Sequence, residues 1–292
     1  MLKRKIATFA PENRKRVMKR HITHYIFLTF LTLTAALTSG CSSSTKWNDL
    51  EFYQVEKLEQ LTETLPEEDE PDDYQPLHDN KKREMDVKVD MQFMRSDNDA
   101  NENVCRLINE QLIEILLKQS SDSTTIDEAV EQYIEEVKAE FRNDDVAQNY
   151  YEHLTGRAEY GFENVINYRL VEEVFTGGAH PSTITTILRF NAMTGEFIAL
   201  DNVFPTSNHA ALKDMLLDKL MKDNGVQTLE GLQEKGILEM MDMFVSTNFA
   251  LRKDSIEFHY NEYDIAPYAY GPSTICLSYE DVQELLGVAY EK

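Results

Sequence analysis

The sequence is short of basic residues, and this shortage excludes one class of function. Lysine and arginine together number 29, against 52 aspartates and glutamates, which gives a formal net charge of −23. Without the first forty positions, which hold eight basic residues and one acid, 21 basic and 51 acidic residues remain, a net charge of −30. Such an acidic chain repels phosphate backbones, so nucleic-acid binding is excluded and a basic partner is favoured.

Cysteine is also scarce, with three in 292 residues, and Cys41 stands apart from Cys105 and Cys276. The latter two could pair in an oxidising compartment. We favour two buried free thiols, one on a helix and one on a strand, because a chain this long does not need a covalent link.

Motifs for catalysis or cofactor binding are likewise missing. No Gly-x-Ser-x-Gly turn occurs, no two of the five histidines after position 40 have metal-ligand spacing, and Thr176-Gly-Gly lacks the length and the following lysine of a phosphate loop. We therefore predict no catalytic residues, no metal site and no cofactor.

The N-terminus has the organisation of a secretion signal. A basic run ends at Arg20, an apolar stretch spans Tyr25–Leu37, and small residues precede Cys41. This pattern is typical of a bacterial lipoprotein acylated on Cys41, with residues 1–40 removed; the alternative is an uncleaved membrane anchor. Either way we expect the body in the cell envelope, outside the cytoplasmic membrane.

Residues 41–83 are predicted to form an acidic, proline-containing tether that holds the folded part away from the membrane. Six acids and three prolines occur between positions 66 and 76, a composition that buries too little surface to fold. Within it, the spacing of apolar residues over 47–65 indicates a short helix.

The remainder is predicted to be an α+β protein with antiparallel sheets and helices packed on one face, in two sub-domains over residues 84–170 and 171–292. Alternating apolar residues over Met85–Phe93 predict a half-buried strand, and Thr125 with Glu128 predicts a capping box before a helix. Two helices and several hairpins follow without regular βαβ alternation.

The residues left for function are a glycine pair with a histidine and a group of tyrosines. Gly177, Gly178 and His180 lie in one loop, where His180 is either a ligand contact or a turn residue bonded to backbone. The tyrosines of a second loop could stack on a sugar or a protein partner, or close the end of a sheet; the candidates are Tyr263, Tyr268 and Tyr270.

Five segments together resemble the extracytoplasmic domain of RsiV-type proteins, with the upstream part similar to its companion in PdaC-type peptidoglycan deacetylases. They are Phe175–His180, Leu188–Gly195, Leu200–Phe204, Ile256–Gly271 and Ile275–Tyr279. The resemblance covers roughly residues 84–290 and implies an α+β ectodomain, which in RsiV is a receptor for lysozyme.

We therefore expect a lipid-anchored envelope protein, not an enzyme, that binds a lysozyme-like basic protein or a cell-wall glycan. A peptidoglycan-acting enzyme or enzyme accessory with a site near His180 is the alternative, and a purely structural lipoprotein is a third.

Overall fold

In the computed structural model, the described residues are 50–64, 82–117, 125–143, 149–287 and 290. They contain eight strands and six α-helices. The strands are β1 (Glu51–Thr64), β2 (Lys82–Arg95), β3 (Tyr150–Tyr160), β4 (Val165–Phe175), β5 (Ser182–Asn191), β6 (Phe249–Leu251), β7 (Ser255–Tyr260) and β8 (Ser273–Ser278). The helices are α1 (Asp99–Leu117), α2 (Ile126–Arg142), α3 (Leu200–Val203), α4 (His209–Asp223), α5 (Leu229–Gln233) and α6 (Tyr279–Val282).

The first five strands form one sheet in the order β1-β2-β3-β4-β5. All neighbours are antiparallel except β2 and β3, which run parallel because α1 and α2 connect them as a crossover. The predicted α+β class is confirmed, with this one parallel pair inside an otherwise antiparallel sheet.

One face of this sheet packs against α1 and α2. On β2 the odd-numbered residues from Met85 to Phe93 are almost fully buried, as their alternation predicts. On β3, Glu152 and Leu154 face the same way, since Glu152 accepts a hydrogen bond from Tyr133 of α2. Helix α2 begins with the predicted capping box between Thr125 and Glu128.

Among the described residues, the opposite face is covered at the β4–β5 end by the antiparallel sheet β6-β7-β8. Arg169 on β4 donates to Glu257 on β7 at 2.6 Å. The second hydrophobic core includes buried residues of β6, β7 and β8 and of the helices near them. Helix α4 packs against β8.

Two asparagine side chains bond backbone groups across the two sheets, in addition to the Arg169–Glu257 pair. Asn167 on β4 accepts from the Leu251 N–H at 2.9 Å and donates to its carbonyl at 3.0 Å. Asn248 accepts from the Ile187 N–H at 2.6 Å and donates to the Thr185 carbonyl at 2.7 Å. The backbone groups of Thr185 and Ile187 on the free edge of β5 are therefore satisfied by asparagine side chains.

The helix predicted over 47–65 is wrong for its described part, because residues 51–64 form strand β1. Every residue of β1 has a partner on β2, and Tyr53, Val55 and Leu61 pack against the core from one face. Pairing along a 14-residue strand outweighs the weak helical spacing. This strand lies within the span predicted as a tether.

Several expectations lie outside the described residues: the signal over 1–40, acylation of Cys41 and the acidic run of the tether. The proposed boundary between residues 170 and 171 falls within β4 and stays a prediction. Cys105 is buried in α1 and Cys276 is exposed on β8, where we had expected it buried, and both are free thiols. Within the described ranges, no helix is long and apolar enough to cross a bilayer.

Candidate functional site

The glycine pair forms the turn between β4 and β5. Gly177 and Gly178 have φ angles of 87° and 111°, which side-chain-bearing residues rarely adopt. This turn brings His180 to the surface immediately before β5. The His180 Nδ1 lies 2.8 Å from the Pro181 carbonyl oxygen, so Nδ1 carries the proton that is donated and Nε2 remains an acceptor in the neutral ring.

The tyrosine loop, residues 261–271, is held by its own hydrogen bonds. The Asp264 carboxylate accepts from the Asn261 N–H at 2.7 Å, and the Tyr263 N–H donates to the Ala266 carbonyl at 3.1 Å. Tyr263 has a positive φ of 69°, which is uncommon for a residue with a side chain. The loop therefore fixes the direction of its aromatic side chains before any ligand is present.

The two loops meet in an aromatic stack. The His180 and Tyr268 rings lie parallel, with centroids 3.6 Å apart and an angle of 17° between planes. The Tyr263 ring is 6.0 Å from that of Tyr268, and its side is open to solvent, since Tyr263 is 44% exposed. The structure thus brings Gly177, Gly178, His180, Tyr263 and Tyr268 together.

A second aromatic group, which the sequence analysis missed, lies on strands β3 and β4. Tyr151 on β3 pairs in register with Phe175 on β4, and their rings stack at 5.9 Å; His153 lies 5.0 Å from Tyr151. Tyr151 is also close enough to Tyr268 for an electrostatic effect on its hydroxyl. The sequence signal for this group is the alternation of Tyr151 and His153 with Glu152 and Leu154. In a strand, this alternation places the two aromatic residues on one face.

We call these six residues the aromatic surface: Tyr151, His153, Phe175, His180, Tyr263 and Tyr268. It lies on the sheet face opposite α1 and α2, beside the small sheet.

Carboxylates border the aromatic surface. Asp86 lies 3.5 Å from His153 Nε2, and Glu173 is the exposed partner of His153 in the β3–β4 ladder. Burial raises the pKa of Glu262, against a backbone hydrogen bond from Thr183 and the nearby His180, which lower it. The border is therefore acidic, matching the charge of the whole chain.

Two other tyrosines of the segment have different surroundings. Tyr270, the remaining candidate, is 52% exposed, and a side chain at Gly236 would meet its ring at 3.4 Å. Tyr260 is fully buried in the second core, where its hydroxyl donates to the Phe244 carbonyl at 2.9 Å. Tyr260 is therefore a core residue and not part of the exposed group.

The described residues hold no group of three or more histidines, cysteines or acids placed to bind a metal ion. A shallow cavity of about 290 Å³ is lined by Asp254 and residues of α6, and it shares no residue with the aromatic surface. The aromatic surface is exposed at His180 and Tyr263, and exposed aromatic side chains are enriched in contacts with macromolecules.

One segment of the C-terminal half matches a known protein family. Residues 201–280 match the family described as "Protein of unknown function (DUF3298)". The chain contains a DUF3298 domain. Tyr263 and Tyr268 lie within the matched DUF3298 residues, whereas His180, Tyr151, His153 and Phe175 precede them.

Solved DUF3298 structures have the same fold. A DUF3298 family member from Bacteroides fragilis superposes with a TM-score of 0.64 at 27% identity, covering 82% of this chain and 94% of that one. A second, from Pseudomonas aeruginosa PAO1, has a TM-score of 0.55 at 13% identity and covers 84% and 99%; at that identity it supports the fold alone.

A curated relative confirms the resemblance to PdaC-type proteins. Peptidoglycan-N-acetylmuramic acid deacetylase PdaC of Bacillus subtilis is 24% identical over 177 residues, 56% of this chain. The chain spans only 37% of the length of PdaC, so the activity of the whole deacetylase is not transferred here.

Proposed function

We propose that this protein is a non-enzymatic binding protein of the bacterial cell envelope, anchored by a lipid on Cys41, whose aromatic surface contacts a basic protein. A lysozyme-like protein is the first candidate, as the resemblance to RsiV-type domains implies. The observation that carries the proposal is the exposed stack of His180, Tyr268 and Tyr263, bordered by acids.

The chemistry of the surface supports a protein partner. Tyrosines present large, rigid contact area and are enriched among the residues that dominate interface energies. The carboxylates of Asp86, Glu173 and Glu262 beside them favour cationic groups on the partner. The net charge of −30 that remains without residues 1–40 would also speed the encounter, with a strong dependence on salt.

A cell-wall glycan is the second candidate, because PdaC is named for its action on peptidoglycan. Sugar rings can lie against exposed aromatic faces such as that of Tyr263. In this case the domain would bind the wall itself, as an accessory to enzymes acting there.

Calorimetry with a lysozyme at low and moderate salt tests the first candidate. Replacing Tyr268 or His180 by alanine should weaken binding at least about tenfold, the loss of about 1.4 kcal/mol typical of a central interface residue. Tyr270→Ala is the matched control, an exposed tyrosine outside the stack, and should bind normally. No binding at either salt would remove lysozyme and leave soluble peptidoglycan fragments as the next titrant.

Incubation of the protein with peptidoglycan, followed by analysis of the products, tests the enzymatic alternative. We expect no cleaved or deacetylated product. A product that disappears in His180→Ala would show that the protein is an enzyme.

A further inference from the structure

Strand β1 is an unusually long edge strand. It occupies one end of the five-stranded sheet, and all 14 of its residues pair without a bulge with β2 on one side. Strands are commonly about 5–6 residues long. Natural edges are usually shortened, bent, interrupted by proline or strongly charged, because their unpaired backbone groups bind other strands. Strand β1 contains neither proline nor glycine.

Charge does not protect this edge either, because each glutamate of β1 is paired within its own chain. The ion pairs are Glu51 with Arg95 at 3.0 Å, Glu56 with Lys88 at 3.0 Å, Glu59 with Lys138 at 3.1 Å and Glu63 with Arg83 at 2.7 Å. The single lysine, Lys57, pairs with Glu131 of α2. The edge is therefore close to neutral within a very acidic protein.

An exposed leucine lies at the middle of the strand. Leu58 is 56% exposed, on the face turned away from α1 and α2. Its neighbours on that face, Glu56 and Gln60, are exposed and polar. On this edge, which no described strand pairs from the other side, the Leu58 side chain would gain an apolar neighbour if a second strand placed a leucine directly opposite it.

We propose that β1 pairs antiparallel with β1 of a second copy of this chain, about a two-fold axis at Leu58. In an antiparallel strand pair, residues directly opposite each other lie on the same face of the joined sheet. The two-fold axis must therefore lie between one residue and the same residue of the second copy. At Leu58 it sets Lys57 against Glu59 of the second copy, Val55 against Leu61, and leucine against leucine. An axis at 56, 57 or 59 would place Glu56, Lys57 or Glu59 against itself, and like charges directly opposite destabilise a strand pair.

This pairing joins two five-stranded sheets into one of ten and satisfies the backbone groups of both edges. It does not use the aromatic surface, so each copy keeps its own. The dimer is thus independent of which ligand that surface binds.

Cysteine cross-linking tests the register. In the purified full chain carrying Cys41→Ser and Cys276→Ser, two copies of Leu58→Cys would have Cα atoms about 4.5–5.5 Å apart, within disulfide range. Gln60→Cys is the matched control, exposed on the same face, but its copies would be about 13 Å apart. Mild oxidation should cross-link position 58 and leave position 60 monomeric. Equal cross-linking at both positions, or none at either, overturns the proposal.

Sedimentation equilibrium of the uncross-linked full chain in detergent gives a second readout. We expect a dimer that Leu58→Asp weakens at least about tenfold, since the pairing would bury two facing charges. Circular dichroism of Leu58→Asp should match that of the parent, because Leu58 faces solvent in the monomer. A monomeric parent, or a dimer unaffected by Leu58→Asp, contradicts the β1 interface.

Discussion

At the scale of single residues, Arg189 is the most constrained side chain. It is 2% exposed, and its guanidinium donates to the carbonyls of Ile187, Ile198, Thr247 and Phe249 at 2.8–3.1 Å. It also stacks on the Phe249 ring at 3.8 Å. Burial lowers its pKa to about 9, still above neutral pH, so the charge is kept.

Replacing Arg189 should strongly destabilise the fold. Arg189→Met fills similar space but removes the donor from the buried carbonyls of Ile187, Ile198 and Phe249, and we expect a loss of about 3 kcal/mol or more. Arg189→Lys should rescue little, because an ammonium cannot reproduce the planar fork. Urea denaturation measures both, with exposed Arg106→Ala as a control that should change stability by less than about 0.5 kcal/mol.

A second residue-scale feature is the ion-pair group around Glu257. Burial alone raises the pKa of Glu257, but hydrogen bonds from Arg169 and Arg252 outweigh it, so the pKa lies below its ordinary value. Arg252 also pairs with Glu159 of β3, which links the small sheet to the large one.

The lowered pKa of Glu257 gives the sign of a pH effect. Its contribution to stability is complete above the ordinary carboxyl pKa of about 4.3 and is lost as pH falls through the lower folded value. Denaturant unfolding between about pH 5 and pH 3 should therefore show a steeper loss in the parent than in Glu257→Gln. Parallel pH profiles for the two proteins would contradict this.

At the scale of residues, the sequence predicts those features whose interacting residues are close together in the chain. The Thr125–Glu128 box and the Gly177–Gly178 turn are predictable because cap and turn chemistry involves neighbours in sequence. Arg189 is not, since its partners Thr247 and Phe249 lie some sixty residues away. Half of the aromatic surface, on β3 and β4, was missed for the same reason.

At the scale of elements, β3 and β4 pack closely at one glycine. Gly156 on β3 lies beside Tyr168 on β4, and a Cβ at position 156 would overlap the Tyr168 hydroxyl and lie 2.8 Å from its ring carbon Cζ. Tyr168 is fully buried against the first core. The absent side chain at position 156 therefore makes room for the tyrosine.

Gly156→Ala should destabilise the sheet by about 1–3 kcal/mol through overpacking. Adding Tyr168→Phe removes the nearest overlapping atom, and the double variant should regain part of that loss, a coupling measurable by a double-mutant cycle. Tyr168→Phe alone serves as the reference. Strict additivity of the two changes would show that the overlap does not occur.

The elements themselves were predicted unevenly. Strong periodicity identified β2 and α2, whose faces are clearly divided between core and solvent. Strand β1 was mistaken for a helix because its apolar residues fall on both faces, with Leu58 outward and Val55 inward. The alternation of apolar and polar residues is clear only where one face of a strand is well buried. The residues of the edge strand β1 are exposed or half-buried, so its alternation is weak.

At the scale of the whole molecule, β4 belongs to two cores. Tyr168 and Leu170 pack with α1 and α2 in the first, whereas Val165 packs in the second. From the opposite face, Asn167 and Arg169 bond the small sheet. The two halves named from sequence share this strand.

A fragment comprising residues 171–292 should therefore fail to fold. It lacks Asn167, Arg169 and residues 165–170 of β4, which leaves residues 186–191 of β5 without ladder partners and Leu251 without its side-chain bonds. Near-ultraviolet circular dichroism should show no fixed aromatic signal for the fragment, whereas the full chain should show one. A folded fragment would support a domain boundary within β4.

The side-chain amides that connect the sheets restrict which substitutions the chain can accumulate. Asn167 and Asn248 each accept from one peptide group and donate to another. Aspartate matches asparagine in shape and is abundant elsewhere in this sequence, yet an ionised carboxylate only accepts. One carbonyl would then face a negative charge without a proton between them, so deamidation at either position would turn a link between the sheets into a repulsive contact.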